Sequence, residues 1–163
     1  MSVLDGVNLH FANNNPAPPV SKPLLCLLFS AQWCPDCTGF LPKLVDAYKG
    51  FSEGSVDVVF VSSDRSKEAQ LRYMKEAHHP DWLAVDFSGD DRANLKRRFG
   101  ACASAEVSSL GMSYADRKSG LPTLAVLRAS DGILLTLDGV KDVKEAGGGA
   151  VERWQKASED KQA

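Results

Sequence analysis

The sequence predicts an α/β fold in which a central mixed sheet is flanked by helices on both faces. In the first half, an apolar strand at residues 24–29, a helix and a second strand at residues 56–61 form a β–α–β unit, which implies a parallel pair. Near the end, strands at residues 124–127 and 133–137 flank Ser130-Asp131-Gly132, a turn sequence typical of an antiparallel hairpin. Parallel and antiparallel pairs together require a mixed sheet.

Length and composition favour a single domain over residues 1–163. Of the 163 residues, 44% are hydrophobic and 25% are charged, so the chain can bury a substantial core. The formal net charge of −2 lacks the basic excess of a nucleic-acid-binding protein, and no apolar run is long enough to span a bilayer. We therefore expect neither a nucleic acid nor a membrane as a partner.

The other elements follow from apolar periodicity and from chain-breaking residues. Apolar residues recur at helical spacing after residue 37, so Phe40, Leu41 and Leu44 should form one buried helix face. The remaining expected elements are a short hairpin or edge strand at residues 4–9, a loop at 13–19, helices at 67–78 and 90–99, a short strand at 82–85 and a last helix after the glycines at 147–149.

The motif richest in chemistry is Trp33-Cys34-Pro35-Asp36-Cys37, which directly follows the first buried strand. Two thiols separated by two residues in the first turn of a helix are close enough to form a disulfide. The helix N-terminus offers partial positive charge and free N–H groups, which favour the thiolate that attacks in disulfide exchange. The placement predicts a redox dithiol in which Cys34 is the exposed nucleophile and Cys37 is the shielded, resolving thiol.

Two other functions of the motif fit the sequence less well. A zinc site needs four ligands, but Cys26 and Cys102 stand alone, and the adjacent His78 and His79 have poor geometry for two ligands on one helix face. A purely structural disulfide would constrain little of the unfolded chain, because its loop contains only two residues. We expect no metal, and we expect no organic cofactor because the sequence lacks a glycine-rich dinucleotide loop.

Further segments accompany the dithiol. Pro42 follows Cys37 by five residues, and Gly120-Leu121-Pro122-Thr123 precedes a predicted strand. Together these features resemble the thioredoxin superfamily, whose cis-proline loop faces the two cysteines, so the resemblance implies a cis bond before Pro122. The tryparedoxin and nucleoredoxin branch of that superfamily is the most similar, over the segments at residues 29–37, 58–64, 82–85, 95–100, 121–124 and 137–154.

The resemblance implies a thioredoxin fold and dithiol–disulfide exchange. Cys34 would attack a disulfide in a partner protein, a peroxiredoxin being one candidate, and Cys37 would release the reduced partner. A separate dithiol donor or reductase would then reduce the Cys34–Cys37 disulfide. The implied activity is a protein-disulfide reductase, and the alternative is a nucleoredoxin-like, redox-sensitive binding partner of signalling proteins with little turnover.

The substrate-binding residues implied by the resemblance surround the dithiol. Trp33, Pro35, Asp36 and Pro122 would border the site. Backbone groups of Leu121 would pair with the extended chain of the substrate, as in strand addition. A cytosolic location is expected because the N-terminus does not read as a signal peptide and the cysteines do not form a secreted disulfide framework; the nucleus is the other option.

Three positions depart from the pattern of the branch. Asp36 stands where proline is usual. Tryparedoxins often carry Trp-Asp-Glu where this chain has Ser63-Asp64-Arg65, in a segment that helps to recognise trypanothione, so the choice between trypanothione and another donor stays open. Leu28 occupies the place of the buried aspartate of ordinary thioredoxins, so no carboxylate can accept a proton from that position.

An insert at about residues 101–120 precedes the expected cis-proline loop, where the family uses only a few residues. Its ends adjoin the expected site, so it either borders the dithiol and screens partners or is a tolerated surface excursion. Its Ser, Ala and Gly content suggests a mobile loop in which Cys102 is exposed. Cys26 should be buried in its strand and Trp82 in the core, whereas His78 and His79 should lie at the surface.

Overall fold

The centre of the sheet is β2 (Leu24–Ser30), a strand whose seven residues are all buried. It pairs in parallel with β3 (Val56–Ser62) and antiparallel with β5 (Thr123–Arg128). A strand covered on both faces can be apolar throughout, which explains why its sequence lacks the alternation of a half-exposed strand. The expected parallel pair is confirmed, and Cys26 is fully buried within β2 as predicted.

Short strands complete both sides of the sheet. The computed structural model describes residues 2–161, and within them the sheet has the order β1-β4-β3-β2-β5-β6. β1 (Leu9–His10) pairs antiparallel with β4 (Leu83–Val85), which pairs in parallel with β3. β6 (Leu134–Thr136) pairs antiparallel with β5 and closes the predicted hairpin. The sheet is therefore mixed, as the sequence predicts.

Helices cover both faces of the sheet. Their bounds are α1 (Pro35–Gly50), α2 (Lys67–Ala77), α3 (Asp91–Phe99), α4 (Gly139–Ala146) and α5 (Ala150–Asp160). On one face, α1, α2, α4 and α5 add residues such as Phe40 and Trp154 to a core with alternate strand residues. On the other face, Leu95 and Phe99 of α3 pack with the remaining strand residues. This is the α/β architecture predicted, with the element order of a thioredoxin fold. None of the helices in the described part of the chain is long and apolar enough to cross a membrane.

The glycine-rich segment Gly147–Gly149 separates two helices, α4 and α5, where the sequence predicts only the second. Its close contact with α1 explains the small residues. A Cβ atom added to Gly148 would lie 3.2 Å from the Cα atom of Gly50. The turn can therefore pack directly against the end of α1, which positions α5 and its buried Trp154 against the sheet.

The insert is folded, contrary to the expectation of a mobile loop. It contains 3₁₀ turns at Ser104–Glu106 and Tyr114–Asp116, and its two ends meet in a bridge between Ala101 and Ser119. Gly100 directly precedes the insert and has φ 62°, and a Cβ there would lie only 2.6 Å from the carbonyl oxygen of Asp116. Glycine is thus required both by the left-handed backbone and by the close approach of the insert.

Cys102 lies beneath the insert with no exposed surface, so the expectation that it is exposed is wrong. It forms a small apolar cluster with Val107 and Leu110. The sequence of the insert is polar on average, but these three residues meet when its ends are joined. Burial raises the pKa of the Cys102 thiol above its ordinary value.

His78 is also buried, so its expected surface position is wrong; only His79 is partly exposed. The His78 ring packs edge-on against the aromatic rings of Phe60, Tyr73 and Trp82. Among residues 2–161, neither nitrogen of this ring has a hydrogen-bond partner. Burial lowers the pKa of His78 to about 3, so the folded chain holds this imidazole neutral.

This buried imidazole should make the stability of the fold depend on pH. The imidazole of His78 takes up a proton near pH 6.5 in the unfolded chain but only near pH 3 in the folded chain. The free energy of unfolding should therefore decrease as the pH is lowered from 6.5 to about 3. At pH 5, which is roughly 1.5 units below 6.5, this effect should lower the free energy of unfolding by about 2 kcal/mol, since each pH unit contributes about 1.36 kcal/mol.

Urea unfolding at pH 7.5 and pH 5 measures this loss. His78→Phe should remove about 2 kcal/mol of the pH dependence, since it keeps an aromatic ring without a titrating group. His79→Gln, a change at the neighbouring, more accessible histidine, should leave the dependence in place. An unchanged difference between the two pH values in His78→Phe would contradict the assignment.

Candidate dithiol site

The dithiol lies at the carboxyl end of β2, where the chain turns into α1. Cys34 is the N-cap residue of α1, and its Sγ atom accepts a hydrogen bond from the backbone N–H of Cys37 at 3.3 Å. Pro35 occupies the first helical position, where its fixed φ suits a helix start and its missing N–H costs nothing. The local sequence therefore places both sulfurs in the first turn of α1.

The two cysteines differ in accessibility. Cys34 is 8% exposed and Cys37 is 1% exposed. The predicted order of accessibility is thus found, but both residues are buried, so the expectation that Cys34 is exposed is wrong: the Leu121 side chain packs against it. Burial raises the pKa of Cys37 to about 12, and the hydrogen bond with Cys34 raises it further. Hydrogen bonds with the Ser30 hydroxyl and the Ala31 backbone act in the opposite direction. Cys37 is therefore a neutral thiol at neutral pH.

The loop before β5 closes the site on one side. The peptide bond between Leu121 and Pro122 is cis, as the resemblance implies. The carbonyl oxygen of Leu121 lies 4.0 Å from the Sγ atom of Cys34. The Leu121 side chain packs against the cluster of Ala31, Cys34 and Cys37. The predicted pairing of the dithiol with this loop is therefore present in the fold.

Trp33 directly precedes Cys34 and is 40% exposed. Its indole N–H donates a hydrogen bond of 2.8 Å to the carbonyl oxygen of Ser63, in the loop after β3. The guanidinium group of Arg65 lies 5.6 Å from the centre of the indole ring. Pro35 and Asp36 are exposed beside the sulfurs in the first turn of α1. The structure thus brings Leu121 to the two cysteines, with Trp33, Pro35 and Asp36 adjacent to them in the chain and Pro122 directly after Leu121.

Three buried polar residues near the dithiol were missed from the sequence. The Ser30 and Tyr73 hydroxyls lie 3.2 Å apart, and Ser30 also contacts the Cys37 thiol. Asp64 is 6% exposed and accepts hydrogen bonds from the Gln32 N–H at 2.8 Å and the Ser62 hydroxyl at 2.7 Å. Burial raises the pKa of Tyr73 above its ordinary value. A buried carboxylate therefore lies near the site, but after β3 rather than within β2, where Leu28 stands.

The positions of Ser30 and Asp64 carry a signal that could have identified them. Ser30 is paired in register with Ser62, so β2 and β3 end at the same edge of the sheet. Polar residues at the carboxyl ends of adjacent parallel strands are candidates for a site. Tyr73 carries no such signal, because its spacing on α2 resembles that of a core residue. Within residues 2–161 no group of three or more His, Cys, Asp or Glu residues is arranged to hold a metal ion.

Comparisons with known proteins agree with this geometry. Residues 23–134 match a family model described as thioredoxin-like. The chain is 30% identical over 139 residues to probable nucleoredoxin 1 of Arabidopsis thaliana, covering 84% of this chain and 23% of that protein. It is 29% identical over 143 residues to human nucleoredoxin-like protein 1, covering 83% of this chain and 58% of that protein. The chain thus spans about a quarter to somewhat over half of these relatives.

A solved structure shows the same fold. Tryparedoxin from Trypanosoma brucei superposes with a TM-score of 0.72 and 26% sequence identity, covering 94% of this chain and 99% of that one. The relatives and this structure together support the tryparedoxin and nucleoredoxin branch that the sequence resembles.

The difference in accessibility should appear as a difference in alkylation. Iodoacetamide applied to the reduced, folded protein should modify Cys34 at least about tenfold faster than Cys37, because burial disfavours the Cys37 thiolate and shields its sulfur. Peptide mass spectrometry over a time course measures both rates. Unfolding in urea, as the control, should make the two rates similar, and equal rates in the folded protein would contradict the assignment.

Proposed function

The chain belongs to the thioredoxin-like family, in its tryparedoxin and nucleoredoxin branch, and from that premise we propose that it reduces disulfides in partner proteins through Cys34 and Cys37. One observation carries the proposal. The more accessible sulfur, that of Cys34, lies between the N-terminus of α1 and the Leu121 carbonyl, with Cys37 buried behind it. This arrangement suits an attacking thiol and a resolving thiol.

In the first step, the Cys34 thiolate attacks one sulfur of the partner disulfide. The S–S bond of the partner breaks, a mixed disulfide forms with Cys34, and the released partner thiolate takes a proton from solvent. The N–H of Cys37 points at the Cys34 sulfur and supports its negative charge. Trp33 and Pro35 adjoin this residue and are exposed, so a large partner would contact them as it reaches the sulfur.

In the second step, Cys37 attacks the Cys34 sulfur. The Cys34–Cys37 disulfide forms, the mixed disulfide breaks, and the second partner sulfur leaves as a thiolate that is then protonated. Cys37 must first lose its own proton, which burial opposes. The Ser30 hydroxyl favours that loss, and Ser30 is in turn hydrogen-bonded to Tyr73. The net reaction moves two electrons and two protons from the dithiol to the partner.

The partner chain would bind between Trp33 and the loop of Leu121 and Pro122. Backbone groups of Leu121 would pair with an extended segment of the partner, and Trp33, Asp36 and Pro122 would border it. A protein disulfide, including that of a peroxiredoxin, is the proposed substrate class. An external dithiol or reductase would reset the Cys34–Cys37 disulfide. A reducing compartment suits this cycle, so we place it in the cytosol, with the nucleus as the alternative.

Turnover separates this activity from redox-sensitive binding. With excess small dithiol as donor, the wild-type chain should accelerate reduction of insulin disulfides, and Cys34→Ser should lower the rate at least about 100-fold because the nucleophile is lost. Cys37→Ser should accumulate a mixed disulfide, visible on a non-reducing gel. Cys102→Ala, a change at a buried thiol away from the site, should retain the activity.

The result also tests the alternative. A wild-type chain that does not turn over, but binds a partner in only one redox state of Cys34 and Cys37, would support a binding protein. A trapped reductase or peroxidase in a Cys37→Ser pull-down would identify the pathway. A chain that neither turns over nor forms a mixed disulfide would exclude the proposed reaction.

Asp36 should lower the reduction potential of the site. Its exposed carboxylate stands in the same helix turn as both sulfurs, and a negative charge there disfavours the thiolate. Asp36→Asn should therefore favour the reduced form and raise the potential, by up to about 30 mV, which is a tenfold change in the equilibrium.

Equilibration with glutathione measures this shift. Asp46→Asn, which removes an exposed carboxylate from the same helix at a distance from the sulfurs, should leave the potential unchanged. The shift in Asp36→Asn should become smaller at 1 M salt, where the screening length is only about 3 Å. A lower potential in Asp36→Asn would show that the charge does not govern the equilibrium.

A further inference from the structure

Glu106 is the polar centre of the insert at residues 101–120. One of its carboxylate oxygens accepts hydrogen bonds from the Ser63 hydroxyl at 2.6 Å and from the Ala103 N–H at 2.9 Å. The other accepts a bond of 2.6 Å from the ammonium group of Lys96, a side chain that is only 4% exposed. Although burial opposes it, the bonds from Lys96 and Ser63 hold the pKa of Glu106 below its ordinary value.

Ser63 connects this carboxylate to the dithiol site. Its hydroxyl contacts Glu106, and its carbonyl oxygen accepts the hydrogen bond from the Trp33 indole. Its own N–H donates to the Ser30 carbonyl at 2.9 Å, which places it at the end of β2. A short chain of hydrogen bonds therefore runs from Glu106 through Ser63 to Trp33.

The insert reaches the site from its other end as well. Its ends are joined by the bridge between Ala101 and Ser119, and the chain continues directly into the loop of Leu121 and Pro122. The apolar cluster beneath the insert, with Val107 next to Glu106, fixes the carboxylate in place. One folded segment thus contacts Ser63, whose carbonyl accepts the Trp33 indole, and leads into the loop whose Leu121 carbonyl faces Cys34.

We propose that Glu106 is a positioning residue for protein-disulfide substrates: through Ser63 it holds Trp33 in the orientation that a large partner contacts. This role rests on the proposed reduction of protein disulfides. A partner protein gains binding energy from a wall that is already ordered, because less freedom is lost on association. A small disulfide touches only the sulfurs and gains little from the same wall. The insert therefore favours protein substrates over small ones.

Ser63→Ala tests the link without disturbing the ion pair of Lys96 and Glu106. The KM for reduction of insulin disulfides should rise about fivefold, the factor that corresponds to one net hydrogen bond, with kcat changed less than about twofold. The rate with a small aromatic disulfide should stay within about twofold of the wild-type rate. Ser63→Thr, which keeps the hydroxyl, should restore the wild-type KM.

A second measurement reads the link in the free protein. The Trp33 indole N–H should exchange with deuterium at least about threefold faster in Ser63→Ala than in the wild type, measured by NMR, because its acceptor is less fixed. Exchange of the Trp33 indole N–H should also be faster in Glu106→Gln. Because this variant leaves the Lys96 charge buried without its anion, its thermal unfolding must be recorded as well. Glu145→Gln, which removes a carboxylate from an exposed ion pair with Arg153, is the matched control and should change neither readout.

The outcomes separate the two proposals. Unchanged indole exchange in both Ser63→Ala and Glu106→Gln would overturn the role of Glu106, whether or not the wild type reduces disulfides. Faster indole exchange together with an equal loss of activity toward insulin and toward the small disulfide would also overturn the proposed role. Glu106 would then affect the reaction of the dithiol itself and not the binding of a protein partner. A wild type without any reductase activity would refute the proposed function, while the exchange experiment would still show whether Glu106 orders Trp33.

Discussion

The register between β2 and β3 is the constraint on which the site depends. Because the two strands are parallel and Ser30 lies opposite Ser62, both chains leave the sheet at the same edge. The chain after Ser30 becomes the dithiol turn, and the chain after Ser62 becomes the loop that accepts the Trp33 indole and holds Asp64. A shift of one residue would move each buried side chain from one of the two cores to the other, where it would meet different neighbours, so the register is fixed by the packing on both faces of the sheet.

The parts of the site that the sequence predicts are those encoded by neighbours in the chain. Cys34 and Cys37 share one helix turn, and Leu121 and Pro122 form one dipeptide, so spacing and resemblance were sufficient. The overall fold was predictable for the same reason. Short apolar runs indicate the strands, and the segments between them with apolar residues at helical spacing indicate the helices. The positions of Cys37 behind Cys34 and of Trp33 beside it also follow from this local order.

The parts that the sequence does not predict arise from contacts between distant segments. His78 ends a polar helix, and only the approach of Phe60 and Trp82 buries its ring. Lys96 lies on α3 between other charged residues, and its buried ammonium group is paired only because Glu106 of the insert packs against it. Cys102 is covered because a 20-residue segment folds back onto its own first residues. The local sequence around each of these residues does not indicate its partner, because the contacting residues are far apart in the chain.

Burial of Cys26 and Cys102 gives the chain chemical selectivity. Both thiols have no exposed surface, and burial raises the pKa of each, so neither supplies a thiolate to an oxidant or an alkylating reagent. Cys34 is therefore the most accessible of the four thiols in the folded protein, and Cys26 and Cys102 are shielded from reagents in solution. Because oxidation of a thiol requires access to its sulfur, damage by peroxide should begin at Cys34, and the two thiols away from the site should be spared while the chain stays folded.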